Sequence, residues 1–165
     1  MKSEGRVRIK LLVSLQPGLH LRELQRQIGI SFSSTRYHVN RLATEGEIDR
    51  VEDKGYSRIY PAGTEYKDKI LLSLIRRKTD HKILSCLLSE NSLSQQRLGD
   101  LTGLSKSTIS EHLTTLSELE VVRIGLSKER RVFELVDPAK IDELMNPEPI
   151  LLKKATQRFI DLWDF

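Results

Sequence analysis

Gly29-Ile30-Ser31-Phe32-Ser33-Ser34-Thr35-Arg36-Tyr37-His38-Val39-Asn40-Arg41-Leu42 recurs 74 positions later as Gly103-Leu104-Ser105-Lys106-Ser107-Thr108-Ile109-Ser110-Glu111-His112-Leu113-Thr114-Thr115-Leu116. The same shift carries Leu19 onto Leu93, Leu24 onto Leu98, Ile9 onto Ile83, Val13 onto Leu87 and Ile48 onto Val122 without a gap. Apolar positions fall on apolar positions, so the chain reads as two copies of one supersecondary unit rather than one large domain. Its 165 residues suffice for two, since small units of roughly 60 to 80 residues close a core.

In copy one, Val7, Ile9, Leu11, Leu12 and Leu15 suggest a helix that stops before the breaker pair Pro17-Gly18. A second helix follows, with His20 as its cap and Leu21, Leu24 and Ile28 on one face. Gly29 ends it where a left-handed residue is wanted. Ser31 then caps a third helix whose inward face carries Thr35, Val39 and Leu42. Beyond Gly46, two alternating runs, Ile48 to Glu52 and Tyr56 to Tyr60, turn through Asp53-Lys54-Gly55 and form a hairpin wing.

Copy two repeats the plan with helices over His81 to Leu88, Ser94 to Thr102 and Ser105 to about Leu119. Its wing runs from Val121 to Gly125 and from Arg131 to Val136, turning through Leu126 to Arg130. Between the copies, Tyr66, Ile70, Leu71, Leu74 and Ile75 lie at helical spacing and predict a bridging helix. The basic cluster Arg76-Arg77-Lys78 either reaches phosphates or ends that helix at its negative pole. After Asn146-Pro147-Glu148-Pro149 an apolar segment runs to Phe165 and predicts a terminal helix. The fold class is therefore mainly α (α+β), with domains at 1–64 and 80–146, a bridge at 65–79 and a C-terminal helix at 147–165.

Composition narrows the function. No apolar run approaches the roughly 20 residues of a membrane span, and Met1 to Lys10 leads into no secretory signal, so a cytoplasmic, nucleoid-associated protein is expected. Cys86 is the single cysteine, which excludes an intramolecular disulfide and a multi-thiolate metal site. Lys and Arg outnumber Asp and Glu by eleven to seven over residues 1–64 and twelve to ten over 65–136, whereas the tail from 137 carries four against six. A phosphate-binding face is thus expected mainly in the first half. No nucleophile–base arrangement, carboxylate pair or phosphate-cradling loop presents itself, so neither an enzyme nor a cofactor or metal is expected.

A helix–turn–helix whose last helix is polar outside fits the major groove, about 12 Å wide. The free amides behind Ser31 favour a phosphate. Arg36 suits a guanine edge and Asn40 an adenine, while Ser33, Ser34 and Tyr37 suit bases or phosphates. Leu24 to Thr44 holds Arg26, Arg36 and Arg41 and no carboxylate.

The two quoted stretches resemble the recognition-helix motif of MarR-like and ArsR-like winged-helix regulators, and the domain order resembles archaeal tandem winged-helix transcription regulators. The resemblance implies that Ser31 to Thr44 and Ser105 to Leu116 enter the groove of double-stranded DNA, with Lys106, Ser107, Thr108, Ser110 and Thr114 as contacts in copy two. It also implies that Lys54 and Arg58 in the first wing, and Lys128, Arg130 and Arg131 in the second, touch the backbone or the minor groove. Copy two departs from the pattern. Glu111 stands where copy one has Tyr37, with Asp100 and Glu118 nearby, so it binds DNA weakly, reads a cytosine amino group or serves a protein partner. His38 and His112 are expected as packed histidines beside the core. The terminal helix, with Trp163 among aromatic neighbours, is expected to pair two chains rather than strap onto its own domain. The rival to a DNA-binding regulator is a winged-helix module that docks protein in a transcription, replication or chromosome-maintenance complex.

Overall fold

The computed structural model describes residues 2–53 and 55–146. Lys54 and the C-terminal segment 147–165, expected as a wing-tip contact and a terminal helix, lie outside the described residues. The chain divides into two compact units, one taking in Met1–Ser73 and the other Leu74–Asn146.

The first unit contains α1 (Lys2–Leu15), β1 (Leu19–His20), α2 (Leu21–Ile28), α3 (Phe32–Thr44), β2 (Ile48–Asp53) and β3 (Tyr56–Pro61). The division between the units falls within α4 (Tyr66–Ile75). The second unit continues with α5 (Lys78–Glu90), β4 (Ser92–Leu93), α6 (Gln95–Thr102), α7 (Lys106–Glu118), β5 (Val122–Ser127), β6 (Arg130–Leu135) and α8 (Pro138–Met145). The bounds of α2, α3, β2 and β3 become those of α6, α7, β5 and β6 when 74 is added. For these four pairs of elements the repeat holds to the residue.

The cause is the same local chemistry used twice. Gly29 adopts φ 76° and donates its N–H to Gln25 O, and Gly103 adopts φ 69° and donates to Gly99 O. A Cβ at either would meet nothing within 4 Å, so only the left-handed backbone selects glycine, at roughly 1–2 kcal/mol for any other residue. Two residues on, the Ser31 and Ser105 hydroxyls accept the N–H of Ser34 at 3.1 Å and of Thr108 at 3.2 Å, a cap typically contributing about 1 kcal/mol. At the start of α2 the cap His20 donates its own N–H to Glu23 Oε2 at 2.9 Å, half of a capping box.

The inner faces then pack. Ile9, Val13, Leu19, Leu24, Ile28, Val39, Leu42, Ile48 and Ile59 form the first core. The counterparts of all but Ile28, namely Ile83, Leu87, Leu93, Leu98, Leu113, Leu116, Val122 and Phe133, are buried in the second unit. Each fully buried Leu or Ile is worth about 1.5–3 kcal/mol.

Four elements differ from those expected. Each sheet has three strands, in the orders β1-β3-β2 and β4-β6-β5. The added strands are two residues long, too short to show a period of two, and pair Leu19 with Ile59 and Leu93 with Phe133. The second hairpin is longer and tighter than expected: Ser127 pairs with Arg130, leaving only Lys128 and Glu129 in the turn. Finally, α8 starts where Asp137 accepts the Lys140 N–H at 2.9 Å and Pro138 takes the first helical position, and it buries Ile141 in the second core. The bridging segment also differs, since α4 ends at Ile75 and Arg77 is the N-cap of α5. Arg76, Arg77 and Lys78 thus straddle two helices instead of ending one.

Candidate nucleic-acid interface

In the first unit the inward positions of α3 are filled by Thr35, Val39 and Leu42, which turns Ser33, Ser34, Arg36, Tyr37, Asn40 and Arg41 outward, all exposed. Ser31 is exposed as well, and its hydroxyl is occupied within the cap, donating to Ser34 Oγ at 2.8 Å. Arg36 makes no hydrogen bond or ion pair among the described residues and is exposed. Tyr37 is 56% exposed and sets its ring edge-on to His38.

Two of these side chains already have partners. Arg41 pairs with Glu45 one turn later at 3.0 Å. The Glu45 carboxylate, and after it Tyr37, raise the Arg41 guanidinium pKa and keep it charged. Arg41 first, then Arg6, hold the Glu45 carboxyl below its ordinary value of 4.5. Arg6 and Lys10 of α1 also bond Glu47. These acidic residues follow directly on the carboxylate-free stretch and tie its end to α1. Asn40 is engaged from the wing. Arg50 of β2 donates Nη1–H to Asn40 Oδ1 at 2.8 Å.

Arg58, expected at the DNA backbone, is instead interior. It is 5% exposed and donates Nη1–H to the Gly18 carbonyl at 2.9 Å, so it braces the sheet and offers nothing to a phosphate. β3 is the central strand, with β1 on one edge and β2 on the other, so the middle of the wing's second strand is interior. The exposed side chains at that end of the unit are others. Arg22, Arg26, Phe32 and Tyr56 line an open cleft of about 480 Å³ between α2 and the wing, with Arg50 and Ser57. Phe32 is 40% and Tyr56 61% exposed. The signal for Arg50 was present in its place on an alternating run, but its contact with α3 depends on how the wing folds back.

The second unit repeats the frame with different surface chemistry. Lys106, Ser107, Ser110 and Thr114 are exposed on α7 and Thr108 is half-buried. The hydroxyls of Ser107 and Thr108 lie 3.0 and 2.8 Å from Ser105 Oγ, and that of Thr114 donates to Ser110 O at 2.9 Å. Lys128, Arg130 and Arg131 are exposed at the wing, with the Arg131 guanidinium over the Phe133 ring at 5.5 Å. Where the first wing has Arg50 and Glu52, the second has Ile124 and Leu126, 50% and 80% exposed. His112 lies against α5 and bonds Asp80 at 2.6 Å. Burial raises the Cys86 thiol pKa, so thiolate is scarce there. Among the described residues no group of three or more His, Cys, Asp or Glu can hold a metal, and no helix is long and apolar enough to cross a membrane.

A family model described as an N-terminal HTH domain matches residues 3–72, and one described as winged helix-turn-helix DNA-binding matches residues 76–123. No curated protein matches. Among solved structures the chain is similar to a hypothetical protein of Pyrobaculum spherical virus at 16% identity, covering 82% of this chain and 97% of that one with a TM-score of 0.41.

Proposed function

Because the chain is a tandem winged helix-turn-helix protein, we propose that it is a sequence-specific, double-stranded DNA-binding transcription regulator, with recognition helices in the major groove and wings on the backbone. The observation that carries this reading is the outer face of α3. Ser33, Arg36, Tyr37, Asn40 and Arg41 stand exposed on one helix behind a capped N-terminus, in a stretch from Leu24 to Thr44 without a carboxylate. Such a face combines phosphate neutralisation with base-edge donors. In the second unit Lys106, Ser107, Ser110, Thr114, Lys128, Arg130 and Arg131 are the proposed contacts, and pairing of two chains through 147–165 would present four recognition helices.

Selection of binding sites from random duplex DNA by the full chain tests the proposal, followed by titration of the selected site and scrambled DNA at several salt concentrations. If one unit and its wing neutralise ~5 phosphates, log affinity falls with log salt at a slope of about −4 to −5. A selected motif with that slope supports a regulator. No selected motif and only weak retention of DNA overturns it.

One observation favours the docking reading for the second unit alone. Glu111 on α7 faces outward and the apolar Ile124 and Leu126 stand exposed on the wing, where the first unit has Tyr37, Arg50 and Glu52. Under that reading Lys106→Ala with Arg131→Ala leaves the affinity of the full chain for its selected site unchanged.

A further inference from the structure

The wing of the first unit holds one base-reading side chain in place. Arg50 spends its guanidinium on three acceptors: Nε–H to Ser57 Oγ at 2.8 Å, Nη1–H to Asn40 Oδ1 at 2.8 Å and Nη2–H to Glu52 Oε1 at 2.9 Å. The Ser57 hydroxyl donates in turn to Glu52 Oε1 at 2.5 Å, closing a ring of Arg50, Ser57 and Glu52. Ser57 first, then Arg50, keep the Glu52 carboxyl below its ordinary value, so the ring stays charged at neutral pH.

The contact settles which way the Asn40 amide faces. An arginine has donors and no acceptor, so the Asn40 atom against it is the carbonyl oxygen, and a flipped amide would set its NH₂ against the guanidinium. Asn40 is left with its Nδ2–H₂ donors and one free Oδ1 lone pair, the pair that adenine requires at N7 and N6. The internal repeat supplies a control within the same chain. At the equivalent positions of the second unit stand Ile124, Thr114, Leu126 and Arg131, and the Thr114 hydroxyl bonds its own helix. The ring belongs to the first unit alone.

We propose that Arg50 is a positioning residue that fixes the amide of Asn40, so that the wing sets the base preference of the recognition helix at one position of the site. This rests on the reading of the first unit as a sequence-specific DNA reader. Prealigning Asn40 removes rotamer freedom before binding and penalises bases that would require the flipped amide.

Site selection and affinity measurements on the wild-type full chain, Arg50→Ala, Arg50→Lys, Asn40→Ala and the Arg50→Ala/Asn40→Ala double variant test it. Thermal unfolding of each variant confirms that the fold is kept. The expected result is an adenine preference of about 5- to 150-fold at one position in the wild type. It is lost equally in Asn40→Ala and Arg50→Ala, and no further in the double variant. Arg50→Lys keeps the charge but not the fork of donors, so it fails to restore the preference. Adenine preference that survives Arg50→Ala, or returns fully in Arg50→Lys, overturns the proposal and makes Arg50 a charge contact. A wild-type chain that selects no base overturns this proposal together with the reading beneath it.

Discussion

Asp80, on the first turn of α5, and His112, in the middle of α7, are joined at 2.6 Å through Oδ1 and Nδ1. Asp80 is 2% exposed and Arg77 reaches only to 4.0 Å from it, so the histidine is its main partner. In the first unit the equivalent positions are Arg6 and His38, and Arg6 instead bonds Glu45, the C-cap of α3, and Glu47 just beyond it. The two units thus tie α3 to α1 and α7 to α5 by different means. Asp80→Ala is expected to destabilise the second unit by about 1–3 kcal/mol, the usual result of removing a buried partner. His112→Ala and the double variant complete a cycle in denaturant unfolding, with a coupling of roughly 0.5–3 kcal/mol. Additive effects would show that the pair is a neighbour contact without stabilising coupling.

The frame was legible because its signals are local. Gly29 and Ser31, and again Gly103 and Ser105, each act within one turn of chain, and the periodic Leu and Ile positions name the buried faces. Arg58 was misread for want of β1. A hairpin alone would leave β3 an edge strand with its arginine free, whereas pairing of His20 with Arg58 makes the strand central and turns the guanidinium to Gly18 O. The contact of Arg50 with Asn40 spans a turn and a strand, and no pattern of spacing announces it. Arg36 and Tyr37 were readable as outward because Thr35 and Val39 must point in.

Arg36 and Arg41 are expected to differ in what they contribute. Arg36 is unpaired among the described residues and stands nearer the start of α3. Arg36→Ala should cost ~1–3 kcal/mol on the selected site and relax preference at one position. Arg41→Ala should weaken all sequences alike and reduce the salt slope by about 1. Equal loss on selected and random DNA for Arg36→Ala would make it a phosphate contact.

If Arg41 contacts DNA as proposed, Glu45 competes with phosphate for it. The carboxylate lies 3.0 Å from the guanidinium that a phosphate would have to engage. Glu45→Gln is therefore expected to raise affinity for random duplex roughly two- to fivefold at low salt, with the gain fading as salt rises. The cost appears in acid. A carboxyl whose folded pKa is depressed contributes stability above its unfolded value, here near 4.5, and loses it as pH falls through the lower folded value. The wild type should thus lose stability below about pH 4.5 more steeply than Glu45→Gln, measured by thermal unfolding against pH. Parallel curves would show that the pair with Arg41 does not stabilise the folded chain.

The second wing turns through Lys128 at φ 47° and Glu129 at φ 63°, between the paired Ser127 and Arg130. Both central residues of this two-residue hairpin turn are left-handed, the geometry for which Asn-Gly is preferred. A non-glycine residue there bears roughly 1–2 kcal/mol of strain. Glycine relieves it but gives back about 0.5–1 kcal/mol through the freer unfolded chain. Glu129→Gly should therefore stabilise the second unit by about 0.5–1 kcal/mol, read as a higher denaturant midpoint at unchanged slope. Gly55 occupies the equivalent position of the first wing at φ 81°, so Gly55→Glu should lower the midpoint of its unit by a comparable amount. If both substitutions leave the midpoints where they are, the turns relax without strain and hairpin backbone geometry does not limit the stability of either wing.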